Sequence, residues 1–168
     1  MTALISAEGN PDRLFDGTTR RAVALVLAIG LASIFVPIFS IDHAVMGRAD
    51  WSALDILASV AARHIAPDAA LFNATMMCLW LSYLSLLLGM IALWLPHYEK
   101  PLALAGFIGL YASDRVIVHG HYDFRLLLSA KSLGGPEELI VSYQPTVYGL
   151  PILFVLLLLL VQSKFRRS

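Results

Sequence analysis

The stretch that decides the fold is AALFNATMMCLWLSYLSLLLGMIALWLPHYEKP, residues 69–101. Its first 27 residues contain no charged side chain. Because a run of roughly 17–25 apolar residues can cross a hydrocarbon core about 30 Å thick, residues 69–95 predict a transmembrane span. The short connection that follows requires the next apolar block to return as an antiparallel neighbour. The sequence therefore predicts a membrane hairpin at the centre of the chain.

The rest of the chain has the same character. Of its 168 residues, 58% are hydrophobic and 14% are charged, against about 45–50% and about 25% in soluble domains. The apolar residues fall into four blocks, which predict spans at about 22–40, 69–95, 101–119 and 146–162. The predicted fold class is an all-α integral membrane protein, with one four-helix transmembrane domain over residues 22–163.

Basic residues set the expected orientation. The N-terminal tail, residues 1–21, ends in Arg20 and Arg21, and the C-terminal residues 164–168 are also basic. Because Lys and Arg beside a span stay in the cytoplasm, both tails are expected there, in a bacterial inner membrane. The net charge is zero, which gives no electrostatic basis for binding nucleic acid. The expected partners are the lipid bilayer and other membrane subunits, or a second copy.

Two outer loops follow from this orientation, at about residues 41–68 and 120–144. In the first, apolar residues at near-helical spacing predict a helix over residues 50–66, capped by Asp50 and lying on the membrane surface. In the second, Tyr122 to Lys131 are predicted to form another short amphipathic segment.

Small residues recur four apart in three spans, a spacing that lets helices approach closely in lipid. The rows are Ala24, Ala28 and Ala32; Ser85 and Gly89; and Ala105, Gly109 and Ser113. Pro145 and Pro151 are expected to break or kink the last helix, because proline removes a backbone donor.

The most unusual segment is SDRVIVHGHYD, residues 113–123. Ionisable groups inside a span cost about 2.5 kcal/mol or more at the bilayer centre, so they are functional candidates. Helical spacing places Tyr111, Arg115 and His119 on one stripe. Adjacent residues point about 100° apart, so Asp114 and Arg115 need separate partners. We expect Asp114 to face protein and Arg115 to reach the outer interface.

The first outer loop is the expected source of those partners. It offers Asp42, Asp50 and Asp68 to Arg115, and Arg48 or Arg63 to Asp114. Two interpretations stay open for Tyr111, Asp114 and Arg115: a structural polar network, or a path for ions or protons.

Histidines suggest a possible cofactor site. Four of the five lie on the predicted outer side: His43, His64, His119 and His121. Imidazole is a common metal ligand and a haem axial ligand, and nearby acids such as Asp123 would complete such a site. His119 and His121 share a side only if the backbone is extended between them. No recognised metal spacing is present, so no cofactor is expected, and a metal or haem b is the alternative.

Catalytic motifs are lacking. There is no G-x-S-x-G elbow, and Gly134-Gly135 lacks the lysine and spacing of a phosphate-binding loop. Interrupted spans in corresponding halves, typical of transporters, are not seen either. The sequence therefore predicts a small non-enzymatic accessory or scaffold subunit of a larger envelope complex. The alternatives are a metal- or haem-binding membrane subunit and a small transporter or ion- or proton-conducting subunit.

Overall fold

The computed structural model describes residues 17–43, 47–61, 70–95, 97–129 and 139–165. The helices are α1 (Gly17–Ala32), α2 (Ala53–Ala61), α3 (Ala70–Ala92), α4 (Glu99–Ser129) and α5 (Gly149–Phe165). The strands are β1 (Pro37–His43), β2 (Gly47–Ser52) and β3 (Leu139–Tyr143). Short 3-10 turns at Ser33–Phe35 and Pro145–Tyr148 extend α1 and precede α5.

Four described helical segments are long and apolar enough to cross a membrane: Gly17–Phe35, Ala74–Ala92, Glu99–Gly120 and Pro145–Ser163. They overlap the four apolar blocks, so the mostly helical, four-helix character of the fold agrees with the prediction, although the first helix begins at Gly17, within the predicted tail of residues 1–21. The first segment ends at Phe35, short of the predicted residue 40, because Pro37 opens a strand.

The four long helices pack in a ring. α3 packs against α4, α4 against α5, α5 against α1, and α1 against α3. Their shared core consists of side chains with almost no exposed surface: Val23, Leu27, Leu79, Leu86, Leu102, Phe154, Leu157 and Val161. α1 and α4 lie at opposite corners of this ring, with α3 and α5 between them. Each therefore has a side that faces away from the bundle.

Glycines allow the closest helix contacts. On α4, the Phe154 ring of α5 occupies the space that a β-carbon on Gly109 would need, and Leu158 does the same at Gly106. Ala105 and Ser113 are buried on the same helix. The predicted small-residue row of span three therefore lies in a helix interface, as its spacing indicated.

The alanine row of span one does not pack in this way. Ala28 and Ala32 are exposed. The helix contacts its neighbours through another face, on which Leu27 lies against Gly89 and Gly30 lies against Leu86. The prediction for α1 was wrong because alanine spacing alone does not show which face of a helix is covered by larger side chains from its neighbours.

A three-stranded antiparallel sheet, in the order β2-β1-β3, lies at one end of the bundle. This corrects the all-α prediction. The central strand β1 begins with Pro37, a position where the missing N–H does not interrupt the ladder. It pairs with β2 through Ser40–Asp50 and with β3 through Ser40–Ser142. We call this the sheet end.

The sheet is anchored to the helices by an aromatic pair. The rings of Phe39 and Tyr143 lie 4.9 Å apart, and Phe39 is buried. The Tyr143 hydroxyl lies 2.7 Å from the carbonyl oxygen of Ile117 and 3.2 Å from that of Val116, both on α4. The level of residues 116–117 on α4 is therefore the level of the sheet.

The opposite end, which we call the turn end, contains the connection between α3 and α4. His97 has a positive φ of 61° there, a backbone conformation that few non-glycine residues adopt. Arg20 of α1 donates a hydrogen bond to the carbonyl oxygen of Leu93, and its guanidinium carbon lies 5.9 Å above the Tyr98 ring. Arg20 thereby satisfies a carbonyl at the end of α3, where cations are favoured.

The predicted surface helix over residues 50–66 is only partly correct. The described helix α2 begins at Ala53, and residues 62–66 lie outside the described residues. Asp50 is in β2 and caps nothing. The cap is Ser52: the Asp55 amide donates to the Ser52 hydroxyl over 3.2 Å, and the Ser52 amide donates to Asp55 Oδ2 over 2.9 Å. This reciprocal arrangement is a capping box with aspartate in the glutamate position.

Two further expectations change at the ends of α4 and α5. Residues 122–129 are not a separate segment, because α4 continues as one helix to Ser129. Neither proline kinks α5. Pro145 opens the preceding 3-10 turn and Pro151 lies in the first turn of the helix, where an N–H donor has no helical acceptor.

Candidate functional site

The lateral face of α4 carries the polar residues that the sequence singles out. Arg115 Nη1 lies 3.2 Å from His119 Nε2, and the Arg115 guanidinium carbon lies 5.1 Å above the Tyr111 ring. All three side chains are exposed, and they lie on one stripe of the helix, as predicted. The guanidinium reaches one turn toward the sheet end, in the direction expected of Arg115.

Asp114 does not face protein. Its side chain is exposed, and no hydrogen bond or ion pair joins it to another residue in the described part of the chain. The expectation was wrong because Ala112, Ser113 and Val116 occupy the buried side of this turn, which turns Asp114 outward.

Asp114 lies in the sheet-end part of a candidate span. It lies within the candidate span Glu99–Gly120, about 22 Å along the helix from Glu99 at 1.5 Å per residue. A hydrocarbon core is about 30 Å thick. The long Arg115 side chain extends toward the sheet end, and Asp114 lies two residues from Val116, which is at the level of the sheet.

Asp114 also belongs to an exposed seam, which we define as Leu104, Phe107, Tyr111, Asp114 and Val118. Its members are spaced by three, four, three and four residues, the spacing of a helix–helix seam. Leu104 is 60% exposed and Val118 is 59% exposed, so the seam is open over its whole length. The spacing is visible in the sequence, but only the structure shows that this face has no neighbour within the described chain.

Two of the partners expected from the first outer loop are paired with each other. Arg48 pairs with Asp50 at 3.3 Å within the β1–β2 hairpin. Arg63 and Asp68 lie outside the described residues, and Asp42 is in the central strand β1. The structure therefore does not join Asp114 or Arg115 to the described part of that loop.

The histidines are not brought together in the described chain. His119 is bonded to Arg115, and its ring lies on the lateral face of α4. His64 lies outside the described residues, as do the side chains of His43 and His121. Positions 119 and 121 are in continuous helix, about 200° apart, so the extended backbone that would place both rings on one side is not adopted. The described residues contain no group of three or more metal-ligating side chains.

A polar cluster that the sequence did not indicate lies at the sheet end. Ser40 is fully buried, and its hydroxyl donates to Asp50 Oδ1 over 2.7 Å. Ser40 Oγ also accepts hydrogen bonds from Arg48 Nη2, at 2.9 Å, and from the Gln144 side-chain amide. The Ser40 hydrogen bond, followed by that of Arg48, lowers the pKa of Asp50 below its ordinary value of 3.8. No histidine contacts Ser40 among the described residues, and the geometry is that of a structural tie among three strands.

The bundle interior offers hydroxyl groups and no charged side chain among the described buried residues. Ser82 donates to the Cys78 carbonyl over 2.9 Å, and Ser113 donates to the Leu110 carbonyl over 3.0 Å. Both hydroxyl protons are thus used within their own helices. Because Asp114 and Arg115 lie on the outside, they do not line a path through this bundle.

No protein-family model matches the chain, and comparison with curated proteins and with solved structures finds no significant match.

Proposed function

We propose that this protein is a non-enzymatic accessory subunit of a larger membrane complex, and that it binds a transmembrane helix of its partner through the exposed seam of α4. We place it in a bacterial cytoplasmic membrane with both termini in the cytoplasm, because Arg20 and Arg21 lie at the turn end, toward which α5 also runs, and the sequence after α5 is basic.

The observation that carries this proposal is the exposed position of Asp114 inside a candidate span. A carboxylate facing lipid is unfavourable by about 2.5–3.5 kcal/mol at the bilayer centre, and by less near an interface, the side on which Asp114 lies. A cation on a neighbouring helix would remove that penalty. Within the described chain, the groups that approach this turn are Arg115, His119 and Tyr111, and they interact with one another.

The seam supports a helix as the binding partner. Four of its five members are large apolar or aromatic residues at seam spacing, and the fifth is Asp114. One polar residue within such a seam fixes the register of the two helices. The partner helix is expected to be apolar along most of this contact, with one lysine or arginine facing Asp114.

The test is site-specific photo-crosslinking in the native membrane. A photoreactive amino acid is placed at Val118, in the seam one turn from Asp114, and at Leu156, an exposed residue of α5. The position 118 probe is expected to capture a transmembrane segment that contains a lysine or arginine, whereas the position 156 probe labels lipid. Asp114→Lys should abolish the capture, and a reciprocal basic-to-acidic change in the captured helix should restore it.

Two results would overturn the proposal. One is capture at position 118 that is unchanged by Asp114→Lys, since the charge would then have no role. The other is labelling of lipid alone, or of a second copy alone, at position 118. Because Asp114 makes no contact with the described core, Asp114→Lys is expected to leave the circular dichroism spectrum of the purified protein unchanged, which separates loss of binding from loss of folding.

A further inference from the structure

A groove opens between α1 and α5, on the side of the ring away from the α4 seam. Its volume is about 310 Å³, at the lower end of the roughly 300–1,000 Å³ typical of small-molecule pockets. Ile29, Val36, Ile152 and Leu153 form its walls, and buried Ile38, Tyr83 and Leu150 form its floor. No charged residue is among its lining residues.

The hydroxyl groups that line the groove already donate hydrogen bonds within the protein. Ser33 donates to the Gly30 carbonyl over 2.6 Å, and its oxygen lies 3.3 Å from the Tyr83 hydroxyl. Since the Ser33 proton is already used, Tyr83 is the donor in that pair. Thr146 likewise donates to the Pro37 carbonyl. The Tyr83 and Thr146 oxygens keep acceptor lone pairs, so a ligand meets acceptors in this groove.

The lining of the groove favours a neutral occupant, because no charged residue belongs to it. Tyr83, which is 6% exposed, lies at the middle of the candidate span Ala74–Ala92, whereas Ser33 and Thr146 lie at the sheet-end limits of theirs, so the groove runs from mid-span to the sheet end. The groove opens sideways between two candidate spans, where its lining residues Ile29 and Ile152 are exposed apolar side chains. A charged group at this depth without a counter-ion is unfavourable, whereas a hydrocarbon chain enters from the surrounding lipid without crossing water.

We infer that this groove is a binding site for the hydrocarbon chain of a neutral, lipid-like amphiphile that bears a hydroxyl or amide donor, with Tyr83 accepting a hydrogen bond from that donor. The inference is independent of the accessory-subunit proposal, because the α4 seam contributes no residue to the groove.

The test uses a long-chain fatty alcohol with a diazirine in its chain, added to the full-length protein in lipid nanodiscs. Photolabelling is expected on peptides from the end of α1 and the start of α5. Gly149→Leu is the blocking variant, because a β-carbon at Gly149 meets no atom within 4 Å and the larger side chain fills the groove. It should reduce labelling there by roughly fivefold or more, because the leucine side chain and the alcohol chain would occupy the same space.

Gly17→Leu is the matched control, since Gly17 also has open space around it but lies at the turn end, away from the groove. It should leave labelling unchanged. Tyr83→Phe should weaken competition by the unlabelled alcohol about two- to tenfold, as expected for one hydrogen bond. The same variant should not affect competition by the methyl ether of the alcohol, which has no donor.

The inference is overturned if labelling is spread evenly over the four long helices, or if Gly149→Leu labels as strongly as the wild-type protein. Equal competition by the alcohol and its ether in the wild-type protein would remove the role of Tyr83. A fatty acid that is ionised at neutral pH is expected to compete less well than the alcohol, and stronger competition by the acid would contradict a neutral site.

Discussion

Gly109 sets the distance between α4 and α5. The Phe154 ring occupies the place of the missing side chain, and Phe154 itself is fully buried. In lipid, helices associate through such close contacts, because burial from water no longer drives them together. The residue therefore stabilises the fold by being small, while its conformational freedom is not used.

Gly109→Ala is expected to destabilise the protein. Overpacking costs about 1–3 kcal/mol, which exceeds the gain of up to about 1 kcal/mol from the higher helix propensity of alanine. The measurement is resistance to sodium dodecyl sulfate in mixed micelles, followed by circular dichroism. Gly149→Ala, where a β-carbon has open space, should cause no loss. The double variant Gly109→Ala/Phe154→Leu should lose less stability than the two single variants lose in sum, because the smaller side chain makes room for the β-carbon. A loss in the double variant that exceeds this sum would refute the packing argument.

At the scale of elements, β1 joins distant parts of the chain. It pairs locally with β2 in a hairpin and also with β3, whose Ser142 lies 102 positions after Ser40. The Ser40 hydroxyl connects both neighbours, since it contacts Asp50 of β2 and Gln144 just after β3. The strand thereby ties the start of α5 to the end of α1.

Acid is expected to weaken the sheet end. The pKa of Asp50 is lowered in the folded protein, first by the Ser40 hydrogen bond and then by Arg48. A lowered folded-state pKa adds stability above the ordinary value of 3.8, and this stability is lost as the pH falls through the folded-state pKa. Asp55, whose pKa is lowered by hydrogen bonds from Ser52, acts with the same sign.

Ser40→Ala tests the origin of this pH dependence. The variant should be less stable by about 1–2 kcal/mol at neutral pH, because it removes a buried hydrogen-bonding group. Its additional loss as the pH falls through 3.8 and below should be smaller than that of the wild-type protein. Thermal unfolding in detergent at several pH values measures both effects. The contribution of Asp55 is common to both proteins and cancels, so parallel pH curves would rule out Asp50 as the responsible group.

At the scale of the whole molecule, the ring of four helices has two different lateral surfaces. The α4 surface carries Asp114, Arg115 and His119. The groove between α1 and α5 is lined by neutral residues. The sheet lies at one end, and the described parts of both chain termini point to the other, because Arg20 contacts Leu93 and Leu158 packs on Gly106.

The proposed orientation predicts opposite accessibility at the two ends. In a background in which Cys78, the only cysteine, is replaced by serine, Leu54→Cys reports on the sheet end and Lys100→Cys on the turn end. Both residues are exposed. A membrane-impermeant maleimide should label position 54 in intact spheroplasts and position 100 only after lysis. Labelling of position 100 in intact spheroplasts would reverse the assigned orientation.

The sequence by itself determined the four apolar helical blocks and the tight α3–α4 connection. Both follow from local properties, because a block of about 20 apolar residues and a short loop act over neighbouring residues. The stripe of Tyr111, Arg115 and His119 was predictable for the same reason. The Ser52–Asp55 cap was also predictable, as a serine followed three residues later by an acid. The spacing of the apolar residues instead predicted a helix that begins at Asp50.

Only the tertiary structure decided the sheet, the outward direction of Asp114 and the groove. β1 and β3 are separated by more than half of the chain, and no local pattern shows which distant segment completes a strand pair. Helix periodicity makes Asp114 and Arg115 point about 100° apart. The side of α4 that faces the bundle depends on where Phe154 and the sheet pack against it. These features arise from packing between remote segments, in which the volume of each side chain must match a space formed by others.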